Sequence, residues 1–210
     1  MANWADLKLR AISGILLVAF VLALTITHPY SFDAMVLVMA LLLWREWAGL
    51  TRTRHALFLP LGVLYIGGAC LALIYLRHAN LNILLALFAI VWTGDIAAYF
   101  TGKRFGKHII APSISPGKTW EGLAGSIIAS AAVAAWLGNV APLPHAILGA
   151  VLAVVGLMGD MFESALKRRI GVKDSGTLIP GHGGLFDRVD ALLPCAILAA
   201  VALYIRLGMS

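Results

Sequence analysis

Seven stretches of mainly apolar residues constrain this chain more than any other feature. They fall at roughly 11–27, 33–50, 56–76, 81–100, 122–138, 145–165 and 190–208. A helix needs about 20 such residues to cross the hydrocarbon of a bilayer. Only 12% of the residues are charged and 61% are hydrophobic, whereas a soluble domain carries about 25% charged residues. The pattern predicts an all-α fold: a polytopic integral membrane bundle of about seven transmembrane helices. It reads as one domain over 1–210, with N-terminal spans in 1–80 and the spans and loops that carry a site in 81–210. Such helices pack on one another inside lipid, where burial from water contributes little. Lys8 and Arg10 precede the first run in the manner of a secretion signal, but no small-residue cleavage site follows, so the run reads as a span.

The basic residues order the runs. The N-terminus and the segments around the ends of runs two, four and six hold Lys8, Arg10, Arg45, Arg52, Arg54, Lys103, Arg104, Lys107, Lys118, Lys167, Arg168, Arg169, Lys173 and Arg188, which is 14 of the 16. Arg77 and Arg206 fall on the other side. This alternation supports seven spans and predicts a cytoplasmic N-terminus in an inner-membrane, multi-pass protein. It also assigns the net charge of +6 to membrane orientation rather than to nucleic acid. Trp44, Trp47, Trp92, Trp120 and Trp136 lie toward run ends and read as interfacial anchors. Cys70 and Cys195 sit inside runs without ligand spacing and read as buried small residues. His28, His55, His78, His108 and His145 show no ligand spacing either.

The carboxylates converge on the basic side. Asp95 lies inside run four, about a turn and a half before its end at Phe100. Asp160 is near the end of run six, Asp187 and Asp190 precede or open run seven, and Glu121 opens run five. A carboxylate at membrane depth is costly and marks a functional site by default. Between Gly159 and Asp190 these acids are interleaved with Lys167, Arg168, Arg169, Lys173 and Arg188. Mg2+ takes oxygen ligands, one or two carboxylates together with substrate phosphates, and Lys or Arg suits the remaining phosphate charge. Glycine-rich backbone at Gly181-His182-Gly183-Gly184 allows close approach of a phosphate ahead of a helix start. These parts suit phosphoryl or nucleotidyl transfer. A second polar loop agrees, from Asp95 through Lys107 to Ser115-Pro116-Gly117-Lys118-Thr119. It is no Walker loop, because Pro112 stands where the first glycine belongs and no strand precedes it. A helix N-cap at Ser115 with Pro116 in the first turn, or a phosphate held there, are both compatible with it.

Ser164-Ala165-Leu166-Lys167-Arg168, then Lys173-Asp174, Gly176, Ile179-Pro180, His182-Gly183-Gly184, Asp187-Arg188 and Asp190 resembles the signature of the phosphatidate cytidylyltransferase family, without a break over 27 positions. The segment Asp95–Gly122 also resembles that family, with Ile96 where Thr is common and Gly117 where Lys is common. The resemblance covers the C-terminal 120 residues; the first 80 or so match only as hydrophobic spans. It implies that CTP and phosphatidate react to give CDP-diacylglycerol and pyrophosphate with Mg2+, and a monovalent cation such as K+ beside the Mg2+ is an extension of the same expectation. By position, Asp160 and Asp187 would bind the metal, with Ser164 and Lys167 in the same site. Asp95, Lys107, Ser115, Lys118, Thr119, Arg168, Lys173, Asp174, His182, Gly183, Gly184, Arg188 and Asp190 would contact substrate. A homodimer is left open. Two other readings share these features: a cytidylyltransferase acting on an ether-linked isoprenoid lipid phosphate, and a cation transporter using Asp95 and Asp160.

Overall fold

A computed structural model describes residues 4–51, 55–139, 141–176, 178 and 183–208, with side chains from 14 in the first helix and from 58 in the third. His182 of the expected site therefore lies outside the described residues. The chain is mostly helical: α1 (Trp4–Thr27), α2 (Pro29–Leu50), α3 (His55–Gly62), a π-helical turn (Val63–Gly67), α4 (Gly68–Ala79), α5 (Leu81–Phe105), α6 (Trp120–Leu137), α7 (Pro142–Arg169), the single-turn α8 (Phe186–Val189) and α9 (Leu192–Gly208). Among the described residues, four helical stretches are long and apolar enough to cross a membrane: Phe58–Ala79, Leu81–Phe105, Trp120–Leu137 and Pro142–Arg169. Gly14–Thr27 and Leu192–Gly208 are shorter apolar helices. Helix α2 is long enough but carries Asp33, Arg45 and Glu46.

Local chemistry sets the helix starts. His28 caps α2 through its Nδ1, which accepts from the Tyr30 amide at 3.3 Å, and Pro29 takes the first turn, where its missing N–H costs nothing. Asn80 caps α5 by accepting from the Asn82 amide at 2.8 Å. Pro60 inside α3 removes a backbone donor, and the π turn follows within three residues.

The stretch expected to begin a helix at Ser115 is instead a strand. β1 (Ile109–Ala111) and β2 (Ser115–Thr119) pair antiparallel, so a small hairpin interrupts an otherwise helical fold. Pro116 and Gly117 are poor helix formers in sequence with no side-chain cap, whereas Thr119 is a cap: its hydroxyl accepts from the Gly122 amide at 3.1 Å, and α6 starts one residue after it. Helix α5 continues past Phe100 to Phe105, which leaves Asp95 nearly three turns from the helix end.

Small residues let α5, α6 and α7 pack closely, as membrane helices require. A Cβ at Gly94 would come within 2.9 Å of Ser126 Oγ, and one at Gly149 within 2.7 Å of Ala134 Cβ. α9 closes the bundle against α7 at Gly156 and Gly159. Large apolar side chains such as Leu41, Leu64, Ile128 and Tyr204 face outward, as expected where lipid is the solvent. The expectation of interfacial anchoring fails for Trp47, which is 1% exposed and packs on Tyr65, Phe162 and Phe186. Its indole N–H donates to the Phe58 carbonyl at 3.1 Å, and that partner lets the ring sit in the core. Cys70 and Cys195 are buried and free.

The helix ends sort into two groups. At one end, α1 and α4 meet where Arg77 Nε donates to the Thr25 carbonyl at 2.8 Å, with His78 paired to Asp33 nearby. At the other end, the C-terminal ends of α2 and α7 meet the hairpin and the segment before α9. The acidic and basic residues singled out by the sequence gather there.

Candidate active site

A cavity of about 390 Å³ opens among α5, α6, α7, the hairpin and the start of α9. Its wall includes Asp95 from α5, Ser115, Lys118 and Thr119 from the hairpin, Asp160 from α7, and Asp187, Arg188 and Asp190 from α8 and its end. Four carboxylates thus face two cationic side chains across one space.

Asp187 is the most constrained of the four. Its Oδ1 accepts from Lys167 Nζ at 2.5 Å. Its Oδ2 accepts from the Ser175 amide and the Ser175 hydroxyl, both at 2.9 Å, and from the Gly184 amide at 2.8 Å. Burial pushes this carboxyl up, but hydrogen bonds from Lys167, Ser175 and Gly184 more than offset that and hold it at about 2. Lys167 also donates to Glu163 at 2.9 Å, one turn before it on α7. This lysine is buried and serves the cavity from beneath, through Asp187.

Asp160 forms an ion pair with Lys118 of the hairpin, and both side chains are partly open. Burial works against the Lys118 charge. The Asp160 carboxylate, with Asp190 and Asp95 further away, more than compensates and raises the ammonium above its ordinary value. Burial, and then the Asp160 charge, push Asp190 upward, although its Oδ1 accepts from the Ala191 amide at 2.9 Å.

The cavity brings together Asp95, Ser115, Lys118, Thr119, Asp160, Asp187, Arg188 and Asp190. Ser164 is buried on α7 outside its wall. Gly184 acts on the site through its amide, and Gly183 takes φ +80°, a left-handed conformation that favours glycine. Lys107, Lys173 and Asp174 are exposed and do not line the cavity. Arg168 is turned to the hairpin, donating to the Ile114 carbonyl at 3.2 Å. Glu121 is also outside: it holds the His108 ring at 2.7 Å and fastens the hairpin to α6.

Glu46, Ser175, Ser126 and Tyr99 belong to this region and were missed by motif reasoning. Glu46 carried a signal, since it is a carboxylate within an apolar run. Nothing in the sequence paired it with a segment 129 to 140 residues away.

The oxygen donors suit a hard divalent cation held by one or two carboxylates, with water and phosphate oxygens completing its shell. No three acidic, histidine or cysteine side chains among the described residues converge tightly enough to hold an ion by themselves.

Residues 52–206 match the Cytidylyltransferase family. The chain is 41% identical over 144 residues to a phosphatidate cytidylyltransferase of Brucella suis, an alignment covering 65% of this chain and 53% of the relative. It is 41% identical over 131 residues to one of Mycobacterium leprae, covering 60% and 42% respectively. A third, from Rickettsia bellii, is 34% identical over 203 residues, covering 90% of this chain and 87% of the relative. The chain spans about half the length of the Brucella and Mycobacterium relatives that it matches.

Proposed function

This chain belongs to the cytidylyltransferase family, and from that premise we propose that it transfers the CMP moiety of CTP to phosphatidate. The products are CDP-diacylglycerol and pyrophosphate. The observation that carries this reading is the cavity wall: four carboxylates with Lys118 and Arg188, at one end of a helical bundle made for lipid. A water-soluble nucleotide and a lipid phosphate meet most readily at such an end.

In the reaction, a phosphate oxygen of phosphatidate bonds to the α-phosphorus of CTP. The bridging bond to the β-phosphate breaks, and pyrophosphate leaves with its electron pair. Both reactants are anions, so their approach must be screened. Lys118 and Arg188 supply positive charge in the cavity wall. Lys118, now on Asp160, exchanges that partner for phosphate oxygens when substrate enters. Lys167 holds Asp187 in place, while the Ser175 and Gly184 donors fix its second oxygen. Asp160 and Asp187 would hold Mg2+, which when bound neutralises phosphate charge.

The same reading gives seven spans, α1, α2 and α9 crossing beside the four long apolar stretches. It sets the N-terminus and the cavity on the cytoplasmic side of the inner membrane, where the basic segments lie. The test is pyrophosphate release by the purified protein in detergent, with CTP and phosphatidate, with and without Mg2+. Turnover that needs all three supports the proposal. Turnover only with an ether-linked isoprenoid phosphate replaces the lipid. No CTP-dependent release with any lipid overturns the reaction.

A further inference from the structure

Glu46 is a carboxylate in α2, 9% exposed, and among the described residues its hydrogen-bond partners come from the segment around Ser175 and Phe186. Its Oε1 accepts from the Leu185 amide at 2.8 Å. Its Oε2 accepts from the Phe186 amide at 2.8 Å and from the Ser175 hydroxyl at 2.9 Å. The two amides open α8, where a helix start leaves N–H groups unpaired. Leu185, the residue at the cap position, offers no side-chain acceptor. Glu46 supplies the cap from 139 residues away.

Ser175 joins this contact to the site. Its single hydroxyl proton faces Glu46 Oε2 and Asp187 Oδ2, both at 2.9 Å. A hydroxyl has one proton to donate, so the two carboxylates share it. Two glycines make room for the intruding side chain. A Cβ at Gly176 would meet Glu46 Oε1 at 2.8 Å, and one at Gly184 would meet Glu46 Oε2 at 2.7 Å. The adjacent Trp47 packs against Phe186 with ring centroids 6.1 Å apart and keeps this end of α2 seated. Glu46 and Trp47 lie before residue 52, where the family match begins, and the partners that they hold lie within it.

We propose that Glu46 is a positioning residue: it clamps both ends of the 175–186 segment and so fixes the direction of the Asp187 carboxylate in the cavity. The catalytic consequence rests on the function proposed above; the clamp itself does not. Removing it leaves the Leu185 and Phe186 amides without their acceptor and the Ser175 hydroxyl with Asp187 alone, while the transmembrane packing stays.

The test compares the wild type with Glu46→Gln and Glu46→Ala, purified in detergent. Gln keeps the shape but turns an NH2 toward backbone donors. Hydrogen–deuterium exchange is read first. The expected result is faster exchange in peptides covering 173–190 in both variants, with peptides from α5, α6 and α7 at the wild-type rate. Turnover is read second, with kcat falling about 100-fold in Glu46→Ala, the scale of a misplaced catalytic group. The KM for lipid stays within twofold, because Glu46 is outside the cavity wall. Unchanged exchange in 173–190 overturns the clamp. So does exchange that rises equally throughout the bundle, which marks a merely structural residue. Wild-type kcat in a variant whose segment has loosened overturns the positioning role. A wild type without CTP-dependent turnover overturns the reaction instead, and leaves the exchange result to decide the clamp.

Discussion

Two lysine–carboxylate pairs border the same cavity, and they are built differently. Lys167–Asp187 lies in the floor, with side chains about one-tenth exposed, and each partner has further contacts: Glu163 on the lysine, Ser175 and Gly184 on the aspartate. Lys118–Asp160 joins a two-stranded hairpin to α7, with the lysine about one-third exposed and the carboxylates Asp95 and Asp190 near it. Charges in the floor are fixed by several donors at once. Charges at the hairpin are held by one ion pair that water and substrate can compete for. The floor therefore sets geometry, and the hairpin is suited to exchange partners during turnover.

The comparison breaks most readily on activity. Asp187→Asn and Asp160→Asn are both expected to lower the proposed CMP transfer by about 10²–10³-fold, although only the first disturbs the floor. Equal thermal stability for Asp160→Asn and wild type, together with a lowered Tm for Asp187→Asn, supports the distinction. Stability separates the lysines next. Lys167→Met leaves Glu163 and Asp187 buried without their cation, and is expected to cost about 3–5 kcal/mol in reversible unfolding from detergent. Lys118→Met breaks a partly open pair and is expected to cost no more than about 1 kcal/mol. Similar losses for the two would remove the contrast.

Acid provides a smaller effect. Asp187 is held at about 2 against an ordinary 3.8. A depressed folded value means stability that is present above the unfolded pKa and lost as pH falls toward the folded one. The contribution, about 2 kcal/mol, is expected to be constant above about pH 5 and to vanish progressively from there to about pH 2. Asp187→Asn removes that share of the acid-induced drop in Tm, and an unchanged acid profile would contradict the floor's role. The smallest effect is expected at Glu121, whose contact with His108 is at the surface. Glu121→Gln should leave Tm and turnover at wild-type values; a large loss of turnover would make the hairpin's attachment to α6 part of the mechanism.

Much of the candidate site was legible because its residues are polar where lipid-facing helices are not. Asp95, Asp160, Asp187 and Asp190 stood out against apolar runs, and all four line the cavity. Lys107, Lys173, Asp174 and Glu121 stood out equally, yet they are not part of its wall. Charge density marks the end of the bundle, not the direction of each side chain. The hairpin was misread because Ser-Pro at 115–116 is also a good helix entry, and only pairing with Ile109–Ala111 makes it a strand. Trp47 was misread because an indole near a run end suits an interface as well as a core; its hydrogen bond to Phe58 decides between them.

By itself the sequence determined the class of solvent, the helical architecture and the end of the molecule at which charge would collect. Those follow from composition and spacing along the chain, because a charge cannot remain in lipid without a partner. The tertiary structure alone decided the partners: Lys167 with Asp187, Lys118 with Asp160, and Glu46 with the loop around Ser175 and Phe186. Such pairs join positions up to 140 residues apart, and no periodicity records which buried carboxylate will meet which free N–H when the helices pack.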